Sequence, residues 1–244
     1  MEIIFGIHAV GEALRARPKS ISHVAVARER SDLKLQRIID GCRAAGIPVR
    51  FENRQQLERM AKSAAHQGAV AAVTAKGYAD VEDVLAQRRG RWAFVVVLDG
   101  VEDPHNLGAI IRTADAAGAD GIVIPERRAA GVTGTVVKTS AGASEYLPIA
   151  RVTNIARTVE ELKQQNIWTV GLDERGGQSY EELDYKMDCA LVLGAEGKGL
   201  HDLVLKKCDF VVSIPMLGSV PSLNVSVAAA VVMYELVRQR RAQS

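Results

Sequence analysis

Between Trp92 and Leu98 the chain reads Trp-Ala-Phe-Val-Val-Val-Leu, with no polar residue. A strand with one wet face alternates apolar and polar side chains, so an unbroken apolar run predicts a strand buried on both faces. Such strands belong to parallel sheets covered by helices on either side. Shorter apolar runs at Gly121–Ile124, Ile167–Leu172, Ala190–Leu193 and Phe210–Ile214 read as further strands. Helical periodicity at Asn106–Ala117, Asn154–Gln165 and Leu223–Arg240 separates them, with Thr153 placed to cap the second helix. This alternation predicts an α/β domain with a mostly parallel sheet over residues 91–244.

Residues 1–76 alternate in the same way on a smaller scale. Helical patterns at Ile7–Leu14, Leu33–Ala45 and Gln55–Ala64 are interleaved with strand-like His23–Ala27, Val49–Phe51 and Ala69–Val73. That is a small α/β domain, joined through a polar linker with a short helix at residues 77–90. Charge divides along the same boundary. Residues 1–76 carry 13 Lys and Arg against 7 Asp and Glu, net +6, while residues 91–244 carry 16 against 19, net −3. A basic small domain beside a mildly acidic larger one reads as a polyanion-binding module attached to a catalytic body. An ordinary solvated basic face is the competing reading, and Arg28, Arg30, Arg50, Arg54 and Arg59 are the candidate phosphate contacts.

Cys42, Cys189 and Cys208 are far apart in sequence and form no C-x-x-C pair, which argues against a disulfide framework or a zinc site. No leader segment and no apolar run of membrane-spanning length is found, so a cytoplasmic protein without membrane association is expected.

Three segments place glycines and polar residues after strands, where α/β proteins bind ligands. The first is Asp99-Gly-Val-Glu-Asp-Pro-His-Asn-Leu-Gly108, continuing to Arg112. The second is Leu191-Val-Leu-Gly194-Ala-Glu196-Gly-Lys-Gly199. The third is Ile214-Pro-Met-Leu-Gly218-Ser-Val-Pro-Ser222-Leu-Asn224-Val-Ser226. None follows the dinucleotide fingerprint G-x-G-x-x-G, the phosphate-binding P-loop or the nucleophile elbow, and the five histidines lack metal-ligand spacing. From the residues alone, the reading is an α/β enzyme with a glycine-lined pocket.

The three segments, in this order, resemble the SpoU branch of the SPOUT methyltransferase superfamily across residues 91–244. Gly6-Ile-His-Ala-Val10, Glu12-Ala-Leu14 and Ala65-His-Gln-Gly68 are similar to the small substrate-binding domain, like ribosomal protein L30e, that precedes many of these enzymes. The whole-chain pattern is similar to the ribosomal RNA guanosine-2'-O-methyltransferases of that branch. The resemblance implies a SPOUT domain with a trefoil knot in its C-terminal chain, contrary to the usual rule that chains do not knot. It further implies S-adenosylmethionine as methyl donor without a metal, an RNA substrate and a homodimer formed with the final helix. Transfer RNA is the alternative substrate, and a non-catalytic RNA-binding ribosome-assembly factor is the alternative from another class.

By that resemblance, Leu172, Gly194, Ile214, Met216 and Leu223 surround the cofactor, with Gly194 admitting it to the backbone. Asn106, Arg112, Glu196, Ser222 and Asn224 match the catalytic polar set. Each has a plainer reading beside it. Asn106 and Asn224 stand where helix caps stand, Glu196 is a turn residue between glycines, and Arg112 is placed for a structural ion pair. Ile214, Met216 and Leu223 serve equally as core. His105 has the intrinsic basicity of a general base, but its turn position argues against that role. On the final helix, Val227, Val231, Met233, Tyr234 and Val237 offer more apolar surface than one intramolecular face needs, as expected of a subunit contact.

Overall fold

The computed structural model describes residues 1–30 and 32–241. The chain forms two compact units, residues 1–77 with 131–146, and residues 78–130 with 147 onward. In the first, β1 (Glu2–Phe5), β2 (Ile21–Ala27), β3 (Val49–Glu52) and β4 (Ala69–Val73) lie in the order β1-β4-β2-β3. β4 is antiparallel to both its neighbours, whereas β2 and β3 are parallel. Alternation along the strands sorts their side chains onto two faces. Ile4, Val24, Val26, Ala69 and Ala71 form one core with α1 (Ile7–Ala16) and α2 (Leu33–Ala44). Phe5, Ala25 and Val70 meet Leu57 and Ala61 of α3 (Arg54–Ala61) on the other.

From residue 78 the chain continues through α4 (Val81–Ala86), β5 (Phe94–Asp99), α5 (Pro104–Ala116), β6 (Gly121–Pro125), α6 (Gly134–Thr139), β7 (Ile149–Val152) and α7 (Ile155–Gln164). Then follow β8 (Trp168–Leu172), β9 (Gln178–Ser179), β10 (Cys189–Gly194), α8 (Asp202–Lys207), β11 (Phe210–Ser213) and α9 (Val225–Arg241). The seven strands form a sheet in the order β7-β6-β5-β10-β8-β11-β9, and each of its neighbouring pairs is parallel. β5 and β10 lie at its centre and are buried along their whole length, as the apolar runs require. Val95, Val97, Ala190 and Val192 pack with α4, α7 and α8 on one face. Their alternates, among them Phe94, Val96, Leu98, Leu191 and Leu193, are equally buried on the face that carries α5 and α9. Burial of each large side chain contributes roughly 1.5–3 kcal/mol.

Several sequence readings are corrected here. Asn154, not Thr153, caps α7, its side chain accepting from the Arg157 N–H at 3.1 Å. The short helix of the 77–90 segment belongs to the second unit, where Val84 is fully buried beside Gly121. Residues 131–146, inside the span read as one C-terminal domain, pack with the first unit. Gly134 makes this possible, since a Cβ there would lie 2.2 Å from the Ile3 carbonyl oxygen. Tyr146 donates to Glu12 at 2.6 Å, Arg17 pairs with Glu145, and the Lys76 ammonium donates to the Ser144 and Glu145 carbonyls. The strands β1, β7 and β9 and the helices α6 and α8 were not anticipated.

His66 lies in the turn before β4, buried, and its Nδ1 accepts from the Gly68 N–H at 3.0 Å. Burial pushes the imidazole below its ordinary value, against Glu58 and with Arg54 and Lys138. The unfolded chain therefore takes up the proton first. Stability is full above about pH 6.5 and falls as pH drops from there towards the lowered folded value. Urea unfolding should show a lower midpoint at about pH 5.5 than at about pH 7.5. His66→Gln should shrink that drop, leaving the share of His23, which burial and Arg50 depress in the same direction. An undiminished drop in the variant would refute the role of His66.

Candidate functional site

Parallel strands all end on one edge of their sheet. There the loops after β8, β10 and β11 enclose a cavity of about 540 Å³. Leu172, Gly194, Ile214, Met216 and Leu223, the residues expected around a cofactor, all line it, and Glu196 and Ser222 of the polar set do so too. The walls are apolar where Leu193, Ile214 and Val225 approach, and charged where Asp173, Glu174, Arg175 and Lys198 do.

The loop after β10 gives the cavity its shape. Ala195 and Gly199 exchange two backbone hydrogen bonds of 3.0 and 3.1 Å, closing a tight turn in which Gly197 and Gly199 have φ of +72° and +66°. A Cβ on Gly194 would lie 2.1 Å from the Gly199 carbonyl carbon and 2.4 Å from the Leu200 nitrogen. Gly194 is thus required by the chain's own return, and it lines the cavity as well. Two buried carboxylates hold the outgoing leg. Asp173 accepts from the Leu200 N–H at 2.9 Å, and Asp99 accepts from both the N–H and Nδ1 of His201 at 2.9 Å. Burial by itself would raise the Asp173 carboxyl. The bidentate Arg175 guanidinium, at 2.7 and 3.0 Å, and the Leu200 and Arg175 N–H groups outweigh it and hold the carboxyl below the usual range.

Asn106, Glu196 and Asn224 come together from three distant parts of the chain. Asn106 Nδ2 donates to Glu196 Oε2 at 3.0 Å, and Asn224 Nδ2 donates to Asn106 Oδ1 at 3.0 Å and Glu196 Oε1 at 3.2 Å. Glu196 is exposed, yet amide donors hold both its oxygens at the rim of the cavity. Asn106 is not a cap. Asp103 fills that place on α5, accepting from the His105 N–H at 2.9 Å, with Pro104 at the first helical position. Asn224 is both cap and network member, for its Oδ1 accepts from the Ser226 N–H at 2.9 Å while its Nδ2 reaches Glu196.

Arg112 is not among the residues lining the cavity. Six residues beyond Asn106, it projects about 120° away from it round the α5 axis. It is exposed and makes no ion pair or hydrogen bond with the described residues, which removes the structural-pair reading. Among the basic candidates of the first unit, Arg30 pairs with Asp32 and Arg54 with Glu58, whereas Arg50 and Arg59 are exposed without such partners among the described residues. The residues missed in the sequence are Asp173 to Arg175. They follow a strand and precede Gly176 and Gly177, the same signal that marked the other loops.

The double duty of Asn224 is separable. Asn224→Ala removes cap and amide donor together, whereas Asn224→Ser retains a cap acceptor. Losing a cap costs about 1 kcal/mol, or about 2–4 °C in a protein of this size. Thermal unfolding should show that drop for the alanine variant and a near-native midpoint for the serine variant. Equal midpoints for Asn224→Ala and the native protein would exclude Asn224 as the cap of α9.

Residues 93–234 match the SpoU rRNA Methylase family, and residues 3–79 match the family described as RNA 2'-O ribose methyltransferase substrate binding. The chain is 45% identical to YacO of Bacillus subtilis, whose name places it in the TrmH family of tRNA/rRNA methyltransferases, over 98% of this chain and 96% of that protein. It is 43% identical to the 23S rRNA (guanosine-2'-O-)-methyltransferase RlmB of Bordetella pertussis, over 98% of each. The SpoU methyltransferase AviRb from Streptomyces viridochromogenes, solved with AdoMet, superposes with a TM-score of 0.80 at 27% identity, over 98% of this chain and 90% of that one. The chain belongs to the SpoU rRNA methylase family.

Proposed function

We propose that this protein transfers the methyl group of S-adenosylmethionine to the 2'-hydroxyl of a guanosine ribose in large-subunit ribosomal RNA. The observation that carries the reading is the Asn106–Glu196–Asn224 network at the rim of a cavity of mixed polarity, in a member of this family. The cavity suits the cofactor in size and chemistry, with apolar walls at Leu172, Ile214 and Leu223 for a purine and charged groups at Arg175 and Glu174 for an amino-acid tail. When bound, S-adenosylmethionine supplies a methyl group on a sulfonium, whose neutral thioether leaves without acid assistance.

The protein must then align the acceptor oxygen and assist loss of its proton. Glu196, fixed by its two amide donors, orients the ribose at the mouth of the cavity. Arg112, which the family resemblance places beside the reacting ribose, stabilises the forming alkoxide and a neighbouring phosphate with its planar guanidinium. The first unit, net +6 over residues 1–76, binds RNA. The loop after β11 leads into α9 at Asn224, beside the loop after β10, a path that supports the trefoil knot implied for this family. Three free cysteines and the absence of a membrane-length apolar helix among the described residues support a cytoplasmic setting.

Dimerisation belongs to the same reading. Leu217, Val220, Val227 and Tyr234 are exposed, and Val231 and Val237 are half-buried. An apolar patch of this kind marks a contact surface. Met233, counted on that face in the sequence, is fully buried and belongs to the core instead. Light scattering should give twice the 26.3 kDa chain mass, and Val227→Glu with Tyr234→Glu should halve it. A native monomer would refute the dimer.

The chemistry is tested by mapping 2'-O-methyl marks on total RNA from cells with and without the gene, expecting loss of one guanosine mark in large-subunit RNA. A lost transfer-RNA mark would reassign the substrate, and no lost mark would leave a non-catalytic RNA-binding protein. Arg112→Ala should reduce single-turnover methylation about 100-fold or more while S-adenosylmethionine affinity and thermal midpoint stay native. Arg112→Lys should recover little, because a point charge cannot reproduce the planar fork. Native turnover in Arg112→Ala would remove it from the chemistry.

A further inference from the structure

The opposite edge of the parallel sheet, where β5 and β10 begin, carries a second cavity of about 410 Å³. It is lined by Arg89, Arg91, Trp92, Arg240 and Arg241, with the ends of α5 and α9 as walls. A six-residue strand separates it from the cofactor cavity, about 20 Å at ~3.3 Å per residue.

The charges here do not cancel. Arg240 is partly buried and donates to the carbonyls of Trp92, Ala93, Tyr185 and Met187 at 2.7–3.2 Å, and among the described residues none of its hydrogen-bond partners is a carboxylate. Burial disfavours its charged form. The nearby carboxylates are already engaged. Asp188 accepts from Arg88 and the Ala93 N–H, Asp120 from the Arg89 and Phe94 N–H groups, and Asp115 from the Arg89 guanidinium. Among the described residues the Arg91 guanidinium lies against the Trp92 ring, at 4.7 Å, without a carboxylate partner, and Arg241 has no partner. Among the described residues, five arginines thus stand near three carboxylates, two of which accept from arginine side chains.

The kind of anion follows from Trp92. Its ring already holds Arg91 at 4.7 Å and Arg240 at 5.8 Å. The indole therefore serves to orient guanidinium planes and is not a free platform for a base. Oriented guanidinium forks suit the paired oxygens of a phosphate. We propose that this cavity binds the phosphodiester backbone of RNA without regard to base, as a second anchor in the catalytic unit remote from the reacting ribose. The inference rests on the RNA reading above. A structured RNA spans the distance between the two edges of the sheet, so one molecule engages both.

The test uses the full-length protein and fluorescein-labelled poly(U) and poly(A) oligoribonucleotides, followed by anisotropy across a salt series. Arg91→Ser with Arg241→Ser should weaken both RNAs about tenfold and reduce the salt slope by about 1.4, the value for two single-strand phosphate contacts. Arg240 is left intact because it ties down four carbonyls. The control Arg157→Ser with Lys206→Ser removes the same charge elsewhere on the unit and should change the affinity much less. Native affinity and slope in the double variant, an equal loss in the control, or an effect on one homopolymer alone would each overturn the proposal. A change of oligomeric mass in the double variant would overturn it in favour of a subunit contact. Failure of the native protein to bind either RNA at low salt would instead refute the RNA reading itself.

Discussion

The tight return of the chain after β10 is the constraint on which the candidate site depends. No side chain fits between Gly194 and the Gly199–Leu200 backbone. The two backbone hydrogen bonds between Ala195 and Gly199 close the turn, but they do not tie it to the rest of the unit. Hydrogen bonds from Leu200 to Asp173 and from His201 to Asp99 anchor it, at carboxylates 5% and 6% exposed. Buried carboxylates are costly unless fully satisfied. Asp173 meets that condition through Arg175 and the Leu200 N–H, so the loop position and the ion pair depend on one another. Gly199 belongs to the same arrangement, since a Cβ there would meet the Asp173 carboxylate at 2.4 Å.

The all-parallel sheet gives the second unit two chemically different ends. Where the strands finish, three loops and the start of α9 leave backbone and polar side chains facing a cavity. Where they begin, the C-terminal turn of α9 brings Arg240 onto the carbonyls that precede β5 and β10. The same helix thus closes the site with its N-terminal Asn224 and ties together the far edge with its last turn. Cations near a helix C-terminus are favoured by the macrodipole, and here they also face an edge where chain starts have left carbonyls to satisfy.

Structural and functional readings of a residue need not compete. Asn224 has two different polar atoms on one carboxamide, and the oxygen caps α9 while the nitrogen reaches Glu196. Asn106, by contrast, is released from capping by Asp103 three residues earlier, and both ends of its amide serve the network. Gly194 likewise serves the loop's return and lines the cavity.

The sequence by itself determined the elements whose signal is long or strongly periodic. The apolar run of β5, the helices α2, α7 and α9 and the division of charge between the first 76 residues and the rest are local properties, carried by neighbours along the chain. The three loop strings were legible for the same reason, and with the second and third of them most of the residues that line the cavity. Short elements were not legible. α6 and α8 have six residues each and β1 and β7 four, too few for a period, and they owe their existence to what they pack against. The placement of residues 131–146 with the first unit followed from Gly134 and Gly142 fitting against Ile3 and Glu12, contacts across more than 120 residues of chain. Only the tertiary structure decided that Asn106, Glu196 and Asn224 share hydrogen bonds and that Asp173 braces the loop after β10. Those contacts depend on strand order β5-β10-β8-β11, which brings together strand ends far apart in sequence. Strand order is settled by which faces can be buried together, and no local pattern of residues encodes it.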